Sequence, residues 1–106
     1  MNAELKKEWV ANLRSGKFKQ GFLRLRYDDT WCCLGVLCEI VDSQKPIVTV
    51  NNNKGSYRYG TETYYPPREI REAAGLTDNE MFNLSSLNDS ERLSFKQIAK
   101  HIEENL

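Results

Sequence analysis

Residues 31–40 read Trp31-Cys32-Cys33-Leu34-Gly35-Val36-Leu37-Cys38-Glu39-Ile40 and hold all three cysteines of the chain. Apolar residues lie on nearly every side of a helix drawn through this stretch, a pattern typical of a helix that is buried all round. Asp28, Asp29 and Thr30 are N-cap candidates, so we expect the helix to begin after them and to end near Val41. Gly35 disfavours a helix by about 1 kcal/mol relative to alanine, which predicts that another backbone approaches closely there.

Two helices with clear end signals are expected on either side of this central helix. Residues 2–14 place apolar side chains on one stripe, and Gly16 suits the left-handed conformation of a C-cap. Residues 67–74 form a shorter helix, because Pro67 fits a first turn and Gly75 ends it.

Two capping boxes predict the remaining helices. Thr77 and Glu80 open one or two turns, and Ser94 and Gln97 open the last helix of the chain. Between the two, residues 84–90 are polar apart from two leucines and are predicted to form a loop.

Residues 22–27 have the alternation of a half-buried β-strand. Leu23 and Leu25 share the buried face, while Arg24 and Arg26 lie one pleat apart on the exposed face. Two guanidinium groups in that arrangement would present themselves to the same anion.

Residues 46–50 and 57–59 are rich in β-forming side chains and are separated by a loop of residues that tolerate positive φ. We expect them to pair as a hairpin and to form a small antiparallel sheet with residues 22–27. The predicted fold is therefore α+β: one small domain with a central buried helix, and with N- and C-terminal helices packed on the sheet.

The composition is that of a small globular domain. The chain has 106 residues, 40% of them hydrophobic and 28% charged. This is enough for one core and one domain over residues 1–106. No apolar stretch is long enough to span a bilayer, and the N-terminus lacks the apolar core of a signal peptide. We therefore expect a protein of the cytoplasm, with free thiols and no membrane partner.

Charge is unevenly distributed, although the formal net charge is zero. Residues 1–27 carry seven Lys or Arg against two Glu, and residues 28–106 carry eight against thirteen Asp or Glu, so that the two parts sum to +5 and −5. This asymmetry fits a surface for an anionic partner, but we favour a solvated basic face that packs on the acidic part of the same protein. The candidate ligand-binding residues are Lys17, Lys19, Gln20, Arg24, Arg26, Asn88 and Asp89.

The cysteines allow an enzymatic interpretation. A thiol near a helix N-terminus has a lowered pKa, so that Cys32 or Cys33 could act as a nucleophile. His101, the only histidine, would be the base, and Asn88 or Asp89 would orient it. Since buried cysteines are commonly small core residues, we favour the core role. The spacing lacks the paired cysteines of zinc sites, and we predict no metal and no cofactor.

An aromatic stretch follows the hairpin. Tyr57, Tyr59, Tyr64 and Tyr65, with Arg58 among them, either stack on a base or pack across strands. Residues 94–99 resemble the first helix of a helix-turn-helix, but the chain leaves no room for a recognition helix, which argues against nucleic acid as a partner.

Three blocks of the chain resemble one family. The blocks are Trp9-x-x-x-Leu13-Arg14-Ser15-Gly16-Lys17-Phe18-x-Gln20-Gly21, then Cys32-Cys33-Leu34-Gly35-Val36-Leu37-Cys38-Glu39, then Leu87-Asn88-Asp89 followed by Ser94-Phe95-x-x-Ile98-Ala99-x-x-Ile102-Glu103. Together they are similar to small uncharacterised proteins encoded by bacteriophages and prophages. In that family Asn-Asp-x-Gly-x-Ser-Phe is common, whereas residues 88–95 here are longer and have no glycine. The resemblance implies a setting in the host bacterial cytoplasm and no particular reaction.

Two functions from different classes follow. The first is a non-enzymatic binding module that acts on a host factor, including a defence factor, or on a small anionic, nucleotide-like ligand. The second is a cysteine-dependent hydrolase or transferase. In either case an exposed edge of the short sheet could pair with a second copy and form a homo-oligomer.

Overall fold

The computed structural model describes residues 1–106 and has five helices and five short strands. The elements are α1 Ala3–Arg14, β1 Lys19–Gln20, β2 Arg26–Tyr27, β3 Thr30–Trp31, α2 Cys33–Gln44, β4 Val50–Asn53, β5 Ser56–Tyr59, α3 Arg68–Ala74, α4 Asp78–Asp89 and α5 Phe95–Asn105. This arrangement confirms the α+β class. None of the five helices has the length and apolar composition of a membrane-spanning segment.

The central buried helix is confirmed as α2. Eight of its twelve residues are buried, and Trp9 of α1 donates from Nε1 to the carbonyl of Cys33 at 2.9 Å. Its predicted start is wrong, because Asp28 and Asp29 form the two-residue turn between β2 and β3, and Cys32 is the N-cap instead. Asp28 has a φ of 49°. This is a left-handed conformation that aspartate tolerates in hairpin turns.

The sheet has the strand order β1-β3-β2-β5-β4. It is mixed and not antiparallel as predicted, because β1 pairs with β3 in parallel while the other pairs are antiparallel. The terminal helices also differ from the prediction. α1 packs mainly on α2 and α5, and α5 packs on α1 and α4, so both rest on helices and not on the sheet.

The predicted strand over residues 22–27 is wrong except for its last two residues, which form β2. The Leu25 N–H donates to the carbonyl of Thr63 at 2.8 Å, and the Leu25 carbonyl accepts the Cys32 N–H at 3.3 Å. These bonds to other parts of the fold replace a strand ladder. Leu23, predicted to face inward, has a φ of 66° and is 59% exposed.

Gly35 has the close backbone neighbour that its position in a helix predicts. A Cβ built on Gly35 would lie 1.7 Å from the carbonyl oxygen of Leu25. The absence of a side chain at this position therefore allows the chain before β2 to pass over the first turn of α2.

The predicted hairpin forms, with its strands displaced along the chain. β4 and β5 join through Lys54 and Gly55, whose φ values are 54° and 93°. Positive φ at both positions is typical of a tight two-residue turn. Residues 51–53, expected in the loop, belong to β4. The register is set by this turn, and residues 47–48 lie outside the sheet.

The helix ends follow their local signals. Gly75 is left-handed and Leu76 donates to the Arg71 carbonyl at 3.0 Å. This bond completes the predicted cap of α3. Both capping boxes form, and they open α4 and α5. The predicted loop over residues 84–90 is wrong, because α4 continues to Asp89 with Leu84 and Leu87 in the core.

Candidate functional site

Asn88, in the last turn of α4, joins three parts of the fold. It is the one buried polar residue of the protein. Its Oδ1 accepts from the Cys33 N–H at 3.2 Å and from Nε2 of Gln20 at 3.0 Å. Its Nδ2 donates to the Gly21 carbonyl at 3.0 Å and to Asp89 at 2.7 Å. Since all its hydrogen-bonding groups are used internally, Asn88 shapes the site through its neighbours.

Asp89 fixes the neighbouring loop in a strained conformation. Its Oδ1 accepts the N–H of Leu23 at 3.0 Å, while Ser85 lies 3.5 Å from its Oδ2. The backbone of Leu23 is left-handed. This conformation costs about 1–2 kcal/mol for a residue other than glycine. An exposed leucine that a hydrogen-bond network keeps in this conformation makes the loop a candidate site.

A cleft of about 480 Å³ opens beside Leu23, between α4 and residues 62–65. Three exposed rings line it, and those of Tyr65 and Phe82 meet edge to face with centroids 5.2 Å apart. Its volume is in the range of sites that take a small ligand or a partner's side chain. We call it the aromatic cleft; its lining residues are Leu23, Glu62, Thr63, Tyr64, Tyr65, Phe82, Ser85, Ser86, Asp89 and Ser90.

The charged side chains that line the aromatic cleft are both carboxylates. Arginines lie outside it and stack on rings. The guanidinium carbon of Arg24 is 5.7 Å from the ring centre of Tyr64, and that of Arg92 is 4.4 Å from the ring centre of Phe22. The interior is therefore acidic and aromatic, and a cation already contacts one of its rings from the rim.

Arg26, predicted to share a ligand with Arg24, is held elsewhere. Its guanidinium carbon lies 4.6 Å from the ring centre of Trp31 and 3.8 Å from that of Tyr57, and its Nη1 pairs with Glu39 at 3.2 Å. The predicted pair of arginines on one strand face is wrong, because residues 22–25 are not a strand. Arg26 instead fastens α2 to the sheet.

The remaining basic candidates do not converge either. Lys17 and Lys19 are exposed, and Lys17 lies 5.6 Å from the ring centre of its neighbour Phe18. Gln20 donates to Asn88 and, at 2.8 Å, to the carbonyl of Leu93. Of the seven predicted ligand-binding residues, the structure joins Gln20, Asn88 and Asp89 in one network.

The thiols lack the environment of a nucleophile. Burial raises the pKa of the Cys32 thiol to about 12, although the Gly35 N–H, which donates to Sγ at 3.3 Å, acts in the opposite direction. Burial also raises the pKa of Cys33 and of Cys38. The predicted lowering of the pKa at the N-terminus of α2 is wrong, because desolvation of the thiolate outweighs the backbone hydrogen bonds that favour it.

His101 makes its side-chain contacts with asparagines. Its ring nitrogens are 3.3 Å from Nδ2 of Asn83 and 3.4 Å from Nδ2 of Asn105. No hydrogen bond joins His101 to Cys32 or Cys33, and no cluster of three or more His, Cys, Asp or Glu side chains could hold a metal ion.

Of the four tyrosines between residues 57 and 65, two pack within the fold and two are exposed. Tyr59 is buried and donates to Glu39, and Tyr57 stacks on Arg26, so these two are structural. Tyr64 and Tyr65 are exposed in the aromatic cleft. The sequence signal for this division is Gly60, which has a φ of 67° and follows β5 directly, before Tyr64 and Tyr65. Leu23 and Phe82 have no such signal, since both belong to patterns that predict burial.

Comparison with known proteins gives one family. A family model described as "Domain of unknown function (DUF8296)" matches residues 1–106. No curated protein and no solved structure matches the chain.

Proposed function

The chain belongs to the DUF8296 family, and we propose that it is a non-enzymatic binding module. Its aromatic cleft takes a basic side chain of a partner protein. One observation carries the proposal: exposed aromatic rings and two carboxylates line the same cavity, with no cation among the lining residues. The exposed Leu23 beside it supplies an apolar contact for the residues that flank the basic side chain.

The energies support an arginine or a lysine as the bound group. A cation over an aromatic ring contributes about 0.5–2 kcal/mol, depending on desolvation. A hydrogen bond from a charged donor to a carboxylate contributes about 1.5–3 kcal/mol. Tyr64 and Asp89 bring an aromatic ring and a carboxylate to the same cleft.

A small anionic ligand is less well supported. The carboxylates of Glu62 and Asp89 line the cleft and would repel it. The residues expected to attract it are dispersed, since Arg26 is paired with Glu39 while Lys17 and Lys19 have no common partner.

The proposed setting is that of a bacteriophage accessory protein in the host cytoplasm. It is supported by the three sequence blocks that resemble phage proteins, of which the cysteine block is the most specific. In this setting the partner is a host factor, and a defence protein is one such target.

The test is an NMR titration of the full chain with capped Leu-Arg-Leu, capped Leu-Glu-Leu and adenosine monophosphate. We expect the arginine peptide alone to shift the amides of Leu23, Tyr64 and Ser86. Tyr64→Ala should weaken this binding by about two- to thirtyfold, because one ring is removed. Tyr27 is similarly exposed but lies outside the cleft, so Tyr27→Ala should leave the binding of the arginine peptide unaltered.

Replacing Arg24 should change the affinity in opposite directions for a cationic and an anionic ligand. Because its guanidinium group competes with an incoming cation for the ring of Tyr64, Arg24→Ala should increase the affinity for the arginine peptide. An anion-binding module would instead lose affinity for the nucleotide in this variant. Binding of the glutamate peptide or the nucleotide at the cleft amides, or equal effects of Tyr64→Ala and Tyr27→Ala, would overturn the proposal.

The cysteine-dependent enzyme is a distinguishable alternative. Buried thiols with raised pKa should react slowly with iodoacetamide in the folded protein near neutral pH, and quickly after denaturation. Rapid labelling of Cys32 or Cys33 in the folded protein, slowed by His101→Ala, would favour the enzyme.

A further inference from the structure

The outer face of α1 forms a second concave surface, on another part of the molecule. A groove of about 620 Å³ runs along it and is bordered by Glu103 of α5. The α1 residues recur at three- and four-residue intervals and so share one helix face. Because the eleven steps from Ala3 to Arg14 rise about 17 Å along the helix, the groove has the length of roughly three helical turns. We call it the α1 groove; its α1 residues are Ala3, Lys6, Lys7, Val10, Ala11 and Arg14.

The α1 groove is basic where the aromatic cleft is acidic. It holds three cations and one carboxylate, and neither Lys6 nor Lys7 takes part in an ion pair. The one carboxylate belongs to Glu103, which Arg14 binds through both Nη atoms at 3.0 and 3.2 Å. This forked pairing lowers the pKa of Glu103 and raises that of Arg14.

The floor of the α1 groove is apolar and shallow. Val10 is almost fully buried beneath it, while Ala3 and Ala11 are exposed and have only a methyl group each. Small side chains at this spacing let another helix approach closely. The charged residues beside them then favour a partner helix of opposite charge.

We propose that the α1 groove binds an acidic, amphipathic helix of a partner protein. Its apolar stripe would pack on the exposed methyl groups of Ala3 and Ala11, and its carboxylates would pair with Lys6 and Lys7. Glu103 already occupies Arg14 in the way that a carboxylate of the partner would. The proposal is independent of the aromatic cleft, because the two surfaces share no residue.

The test is a fluorescence titration of the full chain with a labelled synthetic helix of about four turns, with leucines on one face and glutamates beside them. A matched helix with lysine in place of each glutamate, and a short oligothymidylate, are the comparison probes. We expect only the glutamate helix to bind, with an affinity that falls as salt is raised. The paired variant Lys6→Glu/Lys7→Glu should weaken binding at least about tenfold.

Lys45→Glu/Lys54→Glu is the matched control, because it makes the same charge change at exposed lysines outside the groove. Equal losses in the two paired variants would reduce the effect to net charge and overturn the proposal. Absence of binding at about 1 mM peptide would overturn it as well, and so would oligothymidylate binding that depends on Lys6 and Lys7.

Glu103 gives a second test with an unusual sign. Glu103→Gln releases Arg14, so the affinity for the glutamate helix should rise by about threefold or more. Glu104→Gln removes the same charge one residue further on, outside the groove, and should have a smaller effect. Equal increases in the two variants would contradict a role for Arg14 in the groove.

Discussion

At the scale of single residues, Asn88 links the aromatic cleft to the core. Its side chain bonds the start of α2 through the Cys33 N–H, the loop before β2 through the Gly21 carbonyl, and Asp89. Asp89 in turn holds Leu23. The exposed, strained leucine therefore depends on a side chain that never reaches solvent.

Asn88→Ala should lower the free energy of unfolding by about 3 kcal/mol, because it leaves the buried Cys33 N–H and Gly21 carbonyl without a partner. Urea denaturation followed by circular dichroism measures the loss. Asn83, on the same helix, has an exposed amide that contacts His101. Asn83→Ala should therefore change stability by only about 0.5 kcal/mol or less. Similar losses in the two variants would mean that the buried network contributes little.

At the scale of elements, the contact between α2 and the chain before β2 determines where both can lie. Gly35 faces the Leu25 carbonyl, and the same carbonyl accepts the Cys32 N–H at the start of the helix. A side chain at Gly35 would therefore separate the helix N-terminus from the loop that carries Leu23. This contact couples the cysteine block to the rim of the aromatic cleft.

Gly35→Ala should destabilise the protein by about 3 kcal/mol, since its Cβ would overlap backbone atoms that cannot move independently. The better helix propensity of alanine, about 1 kcal/mol, does not offset this. The control is Gly16→Ala, where φ is +76° but no atom lies within 4 Å of the new Cβ. It should cost about 1 kcal/mol from backbone strain alone. Thermal denaturation of both variants compares them, and equal losses would exclude the clash as the cause.

The elements that could be predicted from the sequence are those with local end signals. The box of Ser94 with Gln97 and the cap at Gly75 are made by residues three to five apart, so neighbouring residues contain the whole interaction. Residues 22–25 could not be predicted in the same way. Their alternation is that of a strand, but hydrogen bonds from Leu23 to Asp89 and from Leu25 to Thr63 join residues far apart in the chain.

The candidate site follows the same rule. Asp89 can be found from the sequence because an Asn-Asp pair has obvious polar chemistry. Tyr64 is an open choice between packing and stacking, and its neighbours in the sequence place Phe82 in an apolar stripe. Whether such a side chain is exposed depends on which elements pack beside it, and α4 and residues 62–65 meet only in the folded molecule.

At the scale of the whole molecule, the core contains ionisable groups that are neutral when folded. Cys33, Cys38 and Tyr59 are fully buried, and Cys32 is 5% exposed. Burial is the largest cause that raises the pKa of each of these groups. All four therefore influence the pH dependence of stability in the same direction.

The folded protein should lose stability at alkaline pH. The pKa of Cys32 is about 12 in the folded state against 9.0 for an ordinary thiol, so the unfolded chain releases its proton first as pH rises. Below about pH 9 the thiols are protonated in both states and the free energy of unfolding is at its full value. Above about pH 9 it declines by about 1.4 kcal/mol per pH unit for each such thiol. Urea denaturation between about pH 7 and pH 11 should show a plateau followed by a steep fall.

Two alanine substitutions in α2 separate the effect of thiol ionisation from that of packing on the loss of stability at alkaline pH. Cys38 and Val36 are both fully buried in the same helix. Cys38→Ala and Val36→Ala should therefore both lower the free energy of unfolding at neutral pH by about 1–3 kcal/mol. Only Cys38→Ala also removes a group whose pKa is raised by burial. Its stability should fall less steeply above about pH 9 than that of Val36→Ala.

Parallel curves for the two variants would show that the Cys38 thiol does not contribute to the alkaline loss. A plateau that extends to about pH 11 in the unsubstituted protein would contradict a core of neutral thiols, because an unfolded chain with ordinary thiols is deprotonated well below that pH. The comparison therefore tests the burial of the cysteine block directly, through the protons that the folded protein retains and the unfolded chain releases.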